Sequence, residues 1–227
     1  MKKVFLFILL IGIINTTNAQ TIFEDNTEIS GIWTKAGSPY IINGKAEIPN
    51  NDSLIIESGV TVKFKTGTKF KDSDYDCGWI LAKGSIIAVG VTSDSIVFTR
   101  EGNENYWGGI YTDYADNLLL DYCVFEYSSG IYGTWNNAVI NNFMYVSSVT
   151  NSSFSNNLKT VLDDIDNVQN CKFSNNEICL NECDTIIGNT FTINENCTKG
   201  KSFLIANNFV YNNKYGLSIE CDGNGET

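Results

Sequence analysis

Histidine is absent from all 227 residues, and arginine occurs once, as Arg100. The first absence removes every nucleophilic triad that needs an imidazole base, and every His-ligated metal centre. The second belongs to a wider shortage of positive charge, with 15 basic residues against 26 acidic ones and a formal net charge of −11. Such a surface repels phosphate backbones and argues against nucleic acid as a partner. Long apolar runs are missing too. The one such stretch, Val4–Ile14, is too short to span a bilayer. With Met1-Lys-Lys before it and the small-residue ending Thr17-Asn-Ala19 after it, residues 1–19 have the pattern of a secretory signal peptide. Its removal takes Lys2 and Lys3 away and the charge to −13, and the absence of Cys at the cleavage point argues against a lipoprotein anchor.

Helical periodicity is scarce, and what replaces it is a repeat. Phe125, Phe154, Phe173, Phe191 and Phe209 follow one another at intervals of 29, 19, 18 and 18 residues. Five residues before each stands an aliphatic (Leu120, Val149, Val168, Ile186, Leu204), and two before stand Cys123, Ser152, Cys171, Asn189 and Asn207. Three after the last four stand Asn157, Asn176, Asn194 and Asn212, with Ser128 after the first. Columns of like residues at a near-constant period mean stacked structural units. Within each unit, runs such as Val168-Gln-Asn-Cys-Lys-Phe173 alternate with period two between Asn and Gly turns, which predicts short strands. One coil per unit makes a parallel β-helix. Coils about 4.7–4.9 Å apart stack Phe on Phe and let successive Asn amides bond along the axis, so the Asn column is expected to be structural. A left-handed helix would place an aliphatic every six residues. Counting from Phe154 gives Thr160 and Asp166, so the right-handed form is expected.

Seven cysteines stand at positions 77, 123, 171, 179, 183, 197 and 221. The odd number leaves at least one unpaired within a single chain. Cys123 and Cys171 have the Ser152 coil between them, too far apart to bond, and read as small buried hydrophobes. Cys179 and Cys197 both lie six residues after a Phe in adjacent coils, within reach of a disulfide.

Ahead of the repeats, residues 20–50 carry Trp33, Pro39-Tyr40 and short strand-like pieces. They predict an N-terminal cap in which Trp33 and Tyr40 close the first coil, with residues 51–227 as the repeats. Then come Leu54-x-Ile-x-x-Gly59-Val-x-Val-x-Phe64, Gly67-Thr, Leu81-Ala-x-Gly84, Ile96-x-Phe-Thr99 and Trp107-Gly-Gly-Ile110. In this order, over about residues 31 to 128, they resemble the first coils of secreted right-handed parallel β-helix repeat proteins of Gram-negative bacteria. The resemblance implies export to the cell surface, the medium or the periplasm. Surface and adhesin-like proteins occur in that group beside polysaccharide lyases and hydrolases, so fold alone does not choose among activities.

Three sets of residues are candidates for function. Asp72, Asp74 and Asp76 alternate like the start of a calcium loop, but Cys77 stands where Gly is wanted and Lys83 where Glu is wanted, so a solvated acidic turn is the better reading and no cofactor is expected. Trp107, Tyr111 and Tyr114, followed by Tyr122, Tyr127, Tyr132 and Trp135, form the most aromatic region, and exposed rings there would stack on sugars. Asp163, Asp164 and Asp166 are the one tight acidic cluster in the repeats, and glycoside hydrolysis needs paired carboxylates. The Gly-His-Gly and Arg-x-Lys of polygalacturonase-like enzymes are absent. The sequence therefore favours a secreted, non-enzymatic module for surface attachment or glycan contact, over a lyase or hydrolase with an unfamiliar site. Leu217-Ser-Ile219 is still strand-like before a polar tail, which leaves room for a third reading, a segment of a longer repeat protein.

Overall fold

The computed structural model describes residues 20–67, 70–71, 74–130, 138–142 and 146–218. Three parallel sheets of nine, nine and eight strands run the length of the molecule, and each coil gives one strand to each sheet in turn. This is a right-handed parallel β-helix, the hand that twisted parallel strands impose on their crossovers. The first sheet runs from Thr21–Phe23 to Phe209–Tyr211, the second from Thr27–Glu28 to Tyr215–Leu217, and the third from Gly31–Trp33 to Leu204–Ala206. Residues 20–50 thus supply the edge strand of all three sheets. There Trp33 stacks on Tyr40 at 4.4 Å and on Phe23 at 5.2 Å. Among the described residues the exceptions to parallel coiling are small: a 3-10 turn at Lys35–Gly37, an antiparallel hairpin joining Phe70–Lys71 to Asp74–Tyr75, and single antiparallel bridges between Gly67 and Tyr106 and between Val91 and Asp94.

The core is made of columns. Phe98, Phe125, Phe154, Phe173 and Phe191 are fully buried and stack with centroids 4.4 to 5.2 Å apart. Beside them runs a ladder of buried amides. The Asn176 carboxamide oxygen accepts from the backbone N–H of Asn157 (3.1 Å) and from its Nδ2 (3.0 Å), while Asn176 Nδ2 donates to the carbonyl of Phe154 (3.0 Å) and to Asn194 Oδ1 (3.1 Å). Asn194 repeats the arrangement with Asn213, and Asn157 with Ser128 and Phe125. A second ladder joins Cys123 to Ser152, Cys171 to Asn189, and Asn189 to Asn208. Buried polar groups are costly unless paired, and here each amide also satisfies the corner backbone of the coil beside it.

The last coil departs from the sequence expectation by one residue. Val210, not Phe209, lies opposite Phe191; Ile205, not Leu204, lies opposite Ile186; and Asn208 and Asn213 replace Asn207 and Asn212 in the ladders. Phe209 points outward and is 64% exposed. The extra residue enters between Lys199 and Leu204, where the N–H groups of Phe203 and Leu204 both donate to the carbonyl of Asp184. In a strand, a one-residue slip exchanges the inner and outer faces.

The corners explain which Asn goes inside. Tyr122, Asn151, Asn170, Gly188 and Asn207 all have φ between 49° and 69°, and each immediately precedes an inward residue: Cys123, Ser152, Cys171, Asn189, Asn208. Tyr127, Asn156, Asn175, Ile193 and Asn212, with φ between 55° and 59°, do the same for Ser128, Asn157, Asn176, Asn194 and Asn213. Of an Asn-Asn pair, the first turns the chain left-handed, which Asn tolerates, and the second forms the ladder.

Cys179 and Cys197 sit on strands paired Ile178 to Asn196 and Leu180 to Thr198, yet both are free thiols. No disulfide forms among the described cysteines; Cys221 lies outside the described residues. Cys123 and Cys171 are buried and unbonded.

Candidate functional site

The second of these corner columns makes a groove. Its floor is the ladder of Asn157, Asn176 and Asn194, which dips toward the axis and leaves the flanking columns standing as walls. One wall runs Tyr106, Tyr127, Asn156, Asn175, Ile193, Asn212; the other runs Leu158, Glu177, Glu195, Lys214. The concavity holds about 620 Å³ and opens along the solenoid axis. Amides link along the first wall, with Asn175 Nδ2 donating to Asn156 Oδ1 at 2.7 Å. At its aromatic end the Arg100 guanidinium lies 3.9 Å from the centroid of Tyr127 and donates to the carbonyl of Asn105 (2.9 Å), which fixes that ring. Along the other wall Lys214 pairs with Glu195 at 2.7 Å, and Lys159 reaches Glu177 at 3.6 Å. The corner at Tyr122, Asn151 and Asn170 follows the same rule and makes a smaller concavity of about 350 Å³, with Lys172 at its rim.

Trp107 does not offer a surface to any ligand. It is fully buried, stacked on Phe64 at 4.0 Å, with Nε1 donating to the carbonyl of Glu126 at 2.7 Å. The reason is positional: Trp107 pairs with Ser128 and so holds the inward corner place that Asn157 and Asn176 hold further along. Tyr111 lies on the second sheet opposite Asn141 and is half-buried; burial, then the nearby Asp113 charge, pushes its phenol up. Tyr114 is 74% exposed at a left-handed turn. Neither lines the groove. Tyr132 and Trp135 lie outside the described residues.

No protein-family profile, no curated protein and no solved structure matches this chain. The site is therefore built from the chain's own geometry. Sequence reasoning passed over Tyr106 and Ile193 and gave the Asn residues, inward or at turns, a structural part only. The signal that finds the wall is the doublet itself, since Asn156-Asn157 and Asn175-Asn176 each put one amide outside and one inside.

The acidic cluster is divided by burial. Asp163 is buried and accepts from Asn141 Nδ2 (2.8 Å) and Asn181 Nδ2 (2.6 Å), one amide on each carboxylate oxygen. Asp166 accepts from the N–H of Ser147 (2.7 Å) and from its hydroxyl. Asp164 stands at a left-handed corner with its surface largely exposed; partial desolvation of the carboxyl against that corner raises its pKa first, followed by the charges of Asp163, Asp166, Asp184 and Glu182. Asp72 lies outside the described residues, Asp74 is in the hairpin, and Asp76 is half-buried close to Gly67. Among the described residues no group of three or more His, Cys, Asp or Glu is placed to hold a metal ion. None of the described helices is long and apolar enough to cross a membrane.

Proposed function

We propose that this chain is an exported, non-enzymatic β-helix module for surface attachment that contacts glycans through the corner groove from Tyr106 to Lys214. The observation that carries the reading is the wall of Tyr106, Tyr127, Asn156 and Asn175, one residue per coil, on a backbone that the buried amide ladder holds rigid. Aromatic rings give flat apolar area with a polar edge, and carboxamides offer both donor and acceptor to hydroxyls. Rigid presentation lowers the ordering cost of binding. The pattern of residues 1–19 supports export.

A second reading draws on Asp164, whose raised pKa and exposure suit the acid of a glycoside hydrolase. It lacks a free partner in the cluster, because Asp163 and Asp166 already accept hydrogen bonds from Asn141, Asn181 and Ser147.

The test uses the chain without residues 1–19 in native gels cast with polysaccharides, with the same mixtures assayed for new reducing ends and unsaturated products. Retardation without product is expected. Product formation that Asp164→Asn abolishes would replace this reading with the hydrolase.

A further inference from the structure

We infer that the groove selects uncharged glycans over uronate polymers and holds the chain along the solenoid axis, its aromatic end at Tyr106 and Tyr127. The inference rests on the glycan-contact reading and adds the ligand's charge and direction.

Charge comes first. Among the described lining residues the one cation, Lys214, is committed to Glu195 at 2.7 Å, Glu177 is matched by Lys159 at 3.6 Å, and Arg100, beside the aromatic end, is held over the Tyr127 ring at 3.9 Å and donates to the Asn105 carbonyl. The described walls therefore carry balanced pairs, with Lys159 and Lys214 each on a carboxylate and Arg100 on a ring and a carbonyl, and offer a uronate no lysine that is not already paired. A uronate entering would compete with Glu195 for Lys214, and would approach a chain of formal charge −11, or −13 once Lys2 and Lys3 leave with residues 1–19. Both effects disfavour a polyanion. A neutral chain meets neither, and the wall amides and the Tyr hydroxyls suit its hydroxyl groups.

Direction follows from the repeat. The wall residues advance one per coil, and the neighbouring Phe rings show that step to be about 5 Å. Coil spacing of this size is comparable to the length of one pyranose unit. A chain parallel to the axis presents successive sugars to Tyr127, Asn156, Asn175 and Ile193 in turn, whereas one lying across the groove meets a single coil.

The experiment measures retardation by two neutral polymers, laminarin and hydroxyethylcellulose, and by two uronate polymers, polygalacturonate and alginate. Retention of a neutral polymer at least tenfold stronger than of either uronate is expected, a gap of about 1.4 kcal/mol. It should change little as ionic strength rises, since no ion pair with the ligand is screened. Tyr127→Asn places at that corner the residue type of Asn156 and Asn175, so the fold is kept while neutral retention falls. Glu177→Gln with Glu195→Gln frees Lys159 and Lys214, and uronate retention should then appear. Uronate retention by the native chain equal to or above that of the neutral polymers overturns the selectivity and leaves glycan contact standing. Neutral retention unchanged in Tyr127→Asn overturns the placement of the chain. Retardation by none of the four overturns glycan contact itself.

Discussion

The coils up to Thr112 and those from Leu118 onward build the same three sheets by different means. In the first region the buried positions are almost all apolar, from Trp33 and Ile42 to Phe98, and the coils are long and unequal: Tyr40 lies beside Val62, and Val62 beside Phe98. In the second, Asn157, Asn176, Asn189 and Asn194 are buried with the Phe column, and Phe154, Phe173 and Phe191 are only 19 and 18 residues apart. Short coils demand tight corners, and a tight corner buries backbone groups that its own strands cannot pair. The interior amides pair them. The groove lies mostly over this second region, where the corners from Asn156 onward repeat every 19 or 18 residues, while Tyr106 of the first region closes its aromatic end.

Breaking the Phe column should have the largest effect. Phe173→Ala is expected to cost about 3–5 kcal/mol, the usual range for a buried Phe. Because stacked coils contact only their neighbours, hydrogen exchange should quicken around Val168 and Ile186 while the strand Trp79–Ala82 stays protected. Equal loss at both places would mean that the two regions unfold as one unit.

The ladder comes next. Asn176→Leu removes the acceptor for the Asn157 N–H and the donor to the Phe154 carbonyl, each a buried group left unpaired at about 1–3 kcal/mol. A loss of at least about 2 kcal/mol in chemical denaturation is expected, and a neutral result would make the amides dispensable.

Ile193 should show the opposite sign. It is the β-branched member of a left-handed column otherwise made of Tyr and Asn, with φ at 58°. Ile193→Asn is expected to stabilise the chain by about 1 kcal/mol, read as a higher denaturation midpoint. It also removes the apolar patch midway along the groove, so neutral-glycan retention should fall as stability rises.

The smallest effect separates the regions by pH. Glu47 is held below the ordinary carboxylate range by hydrogen bonds from Lys83 and then Lys45. Its contribution is present above the ordinary carboxylate pKa and is lost as pH falls through the lowered value. Asp164 and Asp184 are raised, by burial first and then by neighbouring carboxylates, so their contribution is present below the ordinary value and lost as pH rises through the raised one. Mild acidification from neutrality should therefore steady the second region by about 1 kcal/mol or less, as for other exposed charges. Stronger acid should weaken the first. Asp164→Asn should remove most of the first change, seen as a flatter dependence of the denaturation midpoint on pH.

What the sequence makes legible follows from these differences. The Phe and Asn columns are visible because an interior place, repeated coil after coil, accepts the same side chain each time. The last coil misleads because its Asn-Asn doublets allow two alignments, and one added residue between Lys199 and Leu204 selects the one that turns Phe209 outward. Trp107 misleads for a related reason, since nothing in Trp-Gly-Gly-Ile tells an inward corner from an outward face. The groove wall is hardest to see, because Tyr127, Asn156 and Ile193 share only a backbone angle, and exposed places do not constrain residue type.

Six buried cysteines, from Cys77 to Cys197, are spread over both regions. Burial pushes the thiol of Cys77 up to about 12, that of Cys171 to about 12 and that of Cys197 to about 11. The thiolate is the reactive form, so in the folded chain these six described thiols are silent toward thiol reagents and toward exchange with other disulfides. An opened coil is not. The chain thus carries its own reporters of where it comes apart, and an oxidising compartment that meets it before the coils close can trap it in wrong pairings.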